Sequence, residues 1–178
     1  MAKWTVDVSH ANIGFQVKHM MVSKVKGNFD SFSADVEADD LSDLTTANIT
    51  FNIDVASITT KSNDRDNHLK SADFFDVEKF PKIIFTSTSI QKSGDSYEVT
   101  GDLTIKDVTK PVTFDVEYNG KGTTPWGIEV YGFEGKAKIN REKFGLTWNA
   151  ALETGGVLVG KDIKISVELE VNPAQITE

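Results

Sequence analysis

Three histidines are the main candidates for acid–base or metal chemistry in this chain, which has 178 residues and no cysteine. His68 follows Asp64 and Asp66 closely, and imidazole and carboxylate groups are common metal ligands. On a helix, Asp64 and His68 would share one face while Asp66 points elsewhere. A zinc site needs at least one further protein ligand. It would have to come from His10, His19 or Asp73. A solvated helix face with local ion pairs is the simpler interpretation, and we therefore predict no metal site.

Nucleophilic catalysis has little support in the sequence. His19 lies close to Ser23, but neither G-x-S-x-G nor another nucleophile signature is present. The absence of cysteine excludes thiol catalysis and disulfides. We predict that the protein is not an enzyme and has no catalytic residues. The alternative is a hydrolase-like or metal-dependent activity that uses His19, His68 and Asp73.

Residues Gly155–Asp162 fit the first part of a phosphate-binding loop, G-x-x-x-x-G-K, up to Lys161. Asp162 stands where the Mg²⁺-binding Ser or Thr belongs, and an alternating run over 164–171 follows where a helix should begin. We interpret the segment as a glycine-bounded loop or irregular edge before the last strand. No cofactor is expected.

The charge balance argues against a nucleic-acid partner, because a formal net charge of −8 repels phosphate backbones and no basic run is present. No apolar stretch approaches the length of a transmembrane helix, so no transmembrane segment is expected. The first ten residues, MAKWTVDVSH, lack the apolar region of a secretory signal. We expect a cytoplasmic protein, or a periplasmic or secreted one if a signal peptide has been removed.

Apolar and polar residues alternate along most of the chain, which is typical of strands with one buried face. The pattern is clearest over Asn12–Lys18 and Ile49–Val55. About eight or nine such strands follow one another at hairpin spacing. Because parallel strands need long crossovers that the chain lacks, the sheet should be antiparallel. We predict an all-β single domain over residues 1–178, an antiparallel eight-stranded barrel, with a sandwich as the alternative.

The segment Arg65–Phe85 leaves this alternation. Just before and within it, Ser57–Leu69 has apolar and basic residues at near-helical spacing. We predict a short helical insertion around residues 57–76. A segment that departs from the pattern of its own fold either closes one end of the β-structure or belongs to a site.

Large and small residues share the predicted strand faces. The chain has 11 phenylalanines and 13 glycines, and several glycines lie within strands, where they indicate bends or bulges. A packed core would also use the aromatic residues. The mixture favours a barrel whose interior leaves room for a small ligand.

Ordered blocks of the sequence resemble the YceI-like family. The most specific block is Arg65-x-x-His68-Leu69-x-Ser71-x-Asp73-Phe74-Phe75-Asp76, followed by Phe80-Pro81-x-Ile83-x-Phe85. The other blocks are Phe15-x-Val17-x-His19 with Val25-x-Gly27-x-Phe29, Gly101-x-Leu103-Thr104-Ile105 before Lys110-Pro111-Val112, Arg141-x-x-Phe144-Gly145-Leu146, and Val159-Gly160-x-x-Ile163-x-Ile165. Together they cover nearly the whole chain in order.

The resemblance implies a lipocalin-like barrel that binds a polyisoprenoid or related amphiphile in an elongated interior pore. The ligand would be a long-chain lipid such as an isoprenoid quinone or a polyprenyl phosphate, held for sequestration or transport. At Asp107 the chain departs from the family, which commonly has glycine there, and we expect only a surface turn to change. The sequence leaves open whether the protein forms a homodimer through an exposed edge strand.

A prenyl chain can be held only by buried apolar area, which contributes about 25 cal/mol per Å². The predicted ligand-binding wall consists of Phe15, Val17, Ile49, Phe51, Ile53, Phe85, Phe114, Val116 and Phe133. At the mouth, the predicted ligand-binding residues are His19, Arg65, His68, Phe74 and Phe75. His19, Arg65 and His68 would face a polar head group, with Arg141 behind them. Alternatively, Arg65 pairs with Asp73 and only holds the loop.

Overall fold

The computed structural model of the chain describes residues 2–150, 152 and 158–173. These residues form eleven strands and one α-helix. In chain order they are β1 (Ala2–Val6), β2 (Asn12–His19), β3 (Ser23–Phe29), β4 (Phe32–Ala38), β5 (Asn48–Asp54), β6 (Ile58–Thr59), α1 (Asn63–Lys70), β7 (Lys82–Ser93), β8 (Ser96–Ile105), β9 (Val108–Thr123), β10 (Glu129–Asn140) and β11 (Val159–Pro173).

The eleven strands join into eight continuous strands of one closed antiparallel barrel. A 3₁₀ turn at Val8–His10 separates β1 from β2, a short break separates β3 from β4, and a 3₁₀ turn at Val55–Ser57 separates β5 from β6. Each continuous strand pairs with the next one along the chain. β11 closes the ring, because it pairs with β10 on one side and with both β1 and β2 on the other. The predicted all-β, eight-stranded antiparallel barrel is confirmed.

Strand alternation places the apolar side chains inside the barrel. On β8 every second residue from Tyr97 to Ile105 is buried, while the residues between them are exposed or half-buried. On β10, Phe133 and Ile139 are buried in the same way. A strand turns successive side chains to opposite faces, so this sequence pattern fixes which face lines the interior.

Glycines on two strands make room for phenylalanine rings. A Cβ at Gly27 would lie 2.4 Å from the ring of Phe15, and one at Gly101 would lie 2.5 Å from the ring of Phe85. On β10 the register with β9 shifts next to Gly132, which is the irregularity that a glycine within a strand predicts.

One end of the barrel, here named the helix end, is covered by residues 60–81 and 141–148. Helix α1 begins after Ser62, whose Oγ accepts a hydrogen bond from the backbone N–H of Arg65 at 3.4 Å. The helical part is shorter than predicted, because Ile58–Thr59 pairs with β3 as a strand and residues after Ser71 form turns. The insertion itself lies where the sequence predicts it.

The opposite end, here named the loop end, is closed by residues 39–47. Leu41 and Leu44 are only 1% and 4% exposed and point into the barrel core. The loop is held from both sides, since the hydroxyl of Tyr97 donates to the carbonyl of Ser42 at 3.0 Å and the indole N–H of Trp4 donates to the carbonyl of Ala38 at 3.1 Å.

The turn at Asp107 is a tight hairpin between β8 and β9. Ile105 pairs with Val108, and both central residues are left-handed, with φ of 51° at Lys106 and 65° at Asp107. Aspartate tolerates this conformation better than most residues. Asp107 therefore lies in a surface turn, and its effect relative to glycine stays a prediction.

Candidate functional site: an apolar cavity inside the barrel

The barrel encloses a cavity of about 210 Å³. Its described walls are apolar except for one charged side chain, Arg141. Leu41 and Leu44 line it at the loop end, and Leu69 and Leu146 line it at the helix end. Because its walls reach both ends, the cavity is a long and narrow space along the barrel.

Most of the predicted ligand-binding residues line this cavity. They are Phe15, Val17, Ile49, Phe51, Ile53, Phe74, Phe75, Phe85, Phe114, Val116 and Phe133. His19, Arg65 and His68 are not among the lining residues. Contact between the lining residues and a ligand stays a prediction, while the cavity itself offers no support for contacts from the other three.

Arg65 stabilises the turn that leads into α1. Its Nε donates to the hydroxyl of Thr60 at 2.8 Å, and its Nη2 donates to the carbonyl of Thr60 at 2.6 Å. The buried carboxylate of Asp66 accepts from the backbone N–H and the hydroxyl of the same Thr60, at 2.8 and 2.6 Å. The predicted alternative, a pair between Arg65 and Asp73, is wrong. Arg65 donates to Thr60 instead, and Asp73 is paired with His68.

His68 belongs to an aromatic cluster at the helix end. Its ring meets those of Phe74 and Trp148 edge to face, with centroids 5.0 and 4.6 Å apart, and its Nε2 lies 3.0 Å from a carboxylate oxygen of Asp73. Phe74 and Trp148 are themselves 5.3 Å apart. His68 therefore ties the segment after α1 to the segment that carries Trp148, behind the cavity wall formed by Phe74.

Arg141 is a buried cation without an acidic partner. It is 2% exposed, and its guanidinium donates to the backbone carbonyls of Gly160 at 2.7 Å, Leu146 at 2.5 Å and Val159 at 3.4 Å. No carboxylate in the described part of the chain forms an ion pair with it. Burial lowers the pKa of the Arg141 guanidinium from its ordinary value. A positive charge thus faces one end of an apolar cavity, where it is hydrogen-bonded only to backbone carbonyls and the charge of the neighbouring Glu142 partly offsets the effect of burial.

The residues of the alternative catalytic site do not all converge, since His68 and Asp73 are 3.0 Å apart but His19 does not join them. His19 ends β2 at the hairpin, where its carbonyl accepts from the hydroxyl of Ser23 at 3.4 Å. Within the described ranges, His19, His68 and Asp73 do not form a group with ligand atoms within 4.8 Å of one another. The candidate metal ligands Asp64, Asp66 and His68 do not form such a group in the described residues either. The carboxylate of Asp66 accepts hydrogen bonds from Thr60 instead.

One group of three potential metal ligands does occur among the described residues, on the outer surface at Asp7, His10 and Glu170. His10 Nδ1 lies 2.8 Å from Asp7 and 3.7 Å from Glu170. The hydrogen bond that His10 donates to Asp7 and the charge of Glu170 raise the pKa of His10. Hydrogen bonds donated by Ser9 and His10 lower the pKa of Asp7. An ion pair on the surface explains these contacts without a metal.

The segment that resembles a phosphate-binding loop is described only from residue 158 onward. Lys161 and Asp162 lie in β11, so no helix follows the lysine. Residues 155–157 lie outside the described residues. The prediction that this segment enters the last strand agrees with the part that the structure describes.

Several residues that close the cavity at its ends were not among the predicted ligand-binding residues. Leu41, Leu44 and Leu146 line it, and Trp148 supports its wall through Phe74. The two leucines of the loop end stand in the acidic, serine- and threonine-containing run ADDLSDLTT, where no periodic pattern marks them. Leu146 belongs to the block Arg141–Leu146 that resembles the family. The resemblance indicates that this block is part of the fold, but it does not indicate that Leu146 lines the cavity.

Among the residues that the structure describes, no helix has the length and apolar character needed to cross a membrane.

Comparisons with known proteins agree with the barrel. The sequence model described as the YceI-like domain matches residues 4–171. A UPF0312 protein of Staphylococcus aureus strain USA300 is 48% identical over 171 residues, which cover 96% of this chain and 97% of the relative. The crystal structure of Burkholderia cenocepacia BcnA aligns with a TM-score of 0.80 at 27% identity, over 93% of this chain and 98% of BcnA.

A third similarity concerns the fold. A domain from Saccharophagus degradans, described as polyisoprenoid binding and implicated in plant cell wall breakdown, aligns with a TM-score of 0.70 over 98% of this chain and 100% of that domain. Its sequence identity is 10%, so the likeness shows that the two share a fold. The match to the family over 4–171 and the close relative together are decisive. The chain belongs to the YceI-like family.

Proposed function

We propose that the protein binds the chain of a long-chain amphiphile, an isoprenoid or similar lipid, inside the barrel. The observation that carries this proposal is the apolar cavity that extends between the two barrel ends. A cavity lined by such side chains stays free of water and takes up apolar guests. A guest that buries about 200 Å² of apolar surface gains about 5 kcal/mol from burial alone, before the cost of immobilising it.

The shape of the cavity favours a linear chain over a fused-ring lipid. Its volume of about 210 Å³ is below the roughly 300–1,000 Å³ typical of pockets for compact drug-sized ligands. This volume is spread between the two ends of the barrel, so the mean cross-section of the cavity is small. A flexible, narrow chain fits such a space, whereas a rigid ring system does not.

Arg141 supports an acidic or strongly hydrogen-bond-accepting head group. Buried charges in proteins are normally paired, because an unpaired one is costly to desolvate. A ligand whose head group carries a carboxylate or phosphate would supply the missing negative charge at the helix end. The polyisoprenoid ligand of the Saccharophagus degradans domain is consistent with a barrel of this fold holding a prenyl chain. The role of the complex would be sequestration or transport.

A chain-length series tests the proposal directly. Lipid-free protein is titrated with single-chain carboxylates of increasing length, and binding is followed by calorimetry. Each buried methylene contributes about 0.8 kcal/mol, so we expect the affinity to rise steeply with length and then level off when the cavity is full. An affinity that does not depend on chain length would contradict binding inside the barrel.

A further inference from the structure

The outer wall of the barrel beside the β2–β3 hairpin is basic, although the whole chain carries a net charge of −8. Exposed lysines on four neighbouring strands form this wall, here named the lysine face: Lys18, Lys24, Lys26, Lys136, Lys138 and Lys164. Acidic residues adjoin it. Asp162 lies 3.7 Å from Lys138, and Asp115 is in register with Lys136. Glu134, two residues from Lys136 on the same face, is in register with Glu117 and Glu168 in the next row. Within the described ranges, no ion pair neutralises the other four lysines.

The strand register brings these like charges side by side. Lys138 pairs with Lys164, which continues through Gln16 to Lys26 in one row across β10, β11, β2 and β3. The row is about 14 Å long at ordinary strand spacing. Lys18 and Lys24 face each other in the next row. Like charges directly opposite destabilise a sheet, so an anionic partner outside the protein would relieve the repulsion on this face.

The hairpin next to the lysine face has an exposed apolar tip, here named the tip, at Met20–Val22. Its side chains are 45%, 57% and 85% exposed. Met20 and Met21 have φ of 52° and 62°, a left-handed turn in which Asn-Gly is the favoured pair. The tip therefore keeps large apolar residues in water and in an unfavourable backbone conformation, directly beside Lys18 and Lys24.

We propose that this part of the helix end docks on an anionic membrane surface, with the tip among the acyl chains and the lysine face against the lipid head groups. Apolar side chains next to several lysines are the usual pattern of an interfacial membrane anchor. A nucleic acid would use the lysines but leave the methionines exposed.

The tip lies next to the end of the cavity that contains Arg141, so docking would place this end at the membrane. The backbone N–H of Met20 donates to the carbonyl of Leu158 at 2.8 Å, and the adjacent Val159 lines the cavity and accepts from Arg141. Docking would bring the Arg141 end of the cavity to the lipid from which a chain is taken. This use rests on the proposed function, whereas the docking itself does not.

Sedimentation with vesicles tests the docking. The full chain is mixed with vesicles of phosphatidylcholine alone or with one third phosphatidylglycerol, at low and high salt. We expect binding only to the anionic vesicles, weakened by salt. The double variant K26Q/K164Q should bind about thirtyfold more weakly, since each lysine near the surface contributes about a factor of five. The control K3Q/K92Q removes the same charge from exposed lysines near the loop end and should bind like the unaltered protein.

The tip is tested separately by M20N/M21G, which introduces the favoured turn pair. This variant should melt at a higher temperature than the unaltered protein and yet lose most of its vesicle binding. The proposal is overturned if the protein ignores anionic vesicles, if both lysine variants bind equally, or if M20N/M21G binds vesicles unchanged. The proposal is also overturned if variants of the lysine face change DNA binding or self-association but leave vesicle binding unchanged. A protein that retains lipid in its cavity but fails these tests would leave the proposed function intact.

Discussion

Gly135 on β10 is a position in the cavity wall where a larger side chain could be added. It lines the cavity, and a Cβ built at this position would approach no atom more closely than 3.6 Å, at Val116. Gly27 and Gly101 differ from it, since a Cβ there would collide with an aromatic ring. Glycine thus has two roles in this barrel, close packing in one place and free volume in the other.

Gly135→Leu should therefore fill the cavity. We expect the affinity for a long-chain carboxylate to fall at least about tenfold, while the free energy of unfolding changes by less than about 1.5 kcal/mol, because the new side chain enters empty space. Calorimetry and urea denaturation measure the two effects. Gly122→Leu, at an exposed position on β9, is the matched control and should bind like the unaltered protein. Equal affinity in both variants would place the ligand elsewhere.

Arg141 should determine the preference for a head group. The unaltered protein is expected to bind a carboxylate more tightly than the alcohol of the same chain length. Arg141→Gln should reduce that preference about tenfold, and Arg141→Lys should keep most of it, because a charge-assisted hydrogen bond contributes about 1.5–3 kcal/mol. The ratio of the two affinities, measured on folded protein, separates this effect from the lost backbone contacts. A ratio that Arg141→Gln leaves unchanged would show that Arg141 only supports the chain around it.

His10 should make stability depend on pH. Its pKa is raised in the folded state by the hydrogen bond with Asp7, so the folded protein holds the proton more tightly than the unfolded chain. The stabilisation is complete below the unfolded pKa of about 6.5 and disappears as the pH rises through the raised value. His10→Gln should lower the melting temperature slightly, by at most about 2 °C, near pH 5.5 and leave it unchanged near pH 9. The opposite pH dependence would contradict the pairing with Asp7.

At the scale of elements, the position of α1 depends on a small polar core beneath it. Thr60 is 3% exposed, Asp66 is 8% exposed, and Arg65 completes their network of hydrogen bonds. The helix carries no apolar stripe long enough to hold it by burial, and Leu69 is the residue through which it reaches the cavity. The position of α1 itself therefore depends largely on hydrogen bonds.

Asp66→Ala should loosen this cover. It leaves the backbone N–H and hydroxyl of Thr60 without an acceptor, which costs about 1–3 kcal/mol. Asp64→Ala, on the exposed side of the same helix, should change the unfolding free energy by no more than about 0.5 kcal/mol. Urea denaturation gives both values, and hydrogen exchange of residues 63–70 should quicken only in Asp66→Ala. Similar losses in the two variants would mean that the network does not hold the helix.

At the scale of the whole molecule, the barrel could be predicted because a period of two in the sequence marks a buried strand face almost everywhere. The breaks at Val8–His10 and Val55–Ser57 could not, since a short 3₁₀ turn leaves no periodic trace. The hydrogen-bond partners of Arg65 and His68 could not be predicted either, because they depend on how the chain folds back on itself after β6. The alternating phenylalanines predicted part of the cavity wall, whereas Leu41 and Leu44 stand in a loop without a pattern.

Native mass spectrometry of the purified protein shows whether the barrel holds a lipid chain. We expect a species heavier than the chain by the mass of one amphiphile, released on denaturation and recovered by organic extraction. Gly135→Leu, purified in the same way, should carry much less of it. A bare mass for the unaltered protein, with an empty extract and no uptake of an added long-chain carboxylate, would show that the barrel does not bind lipid.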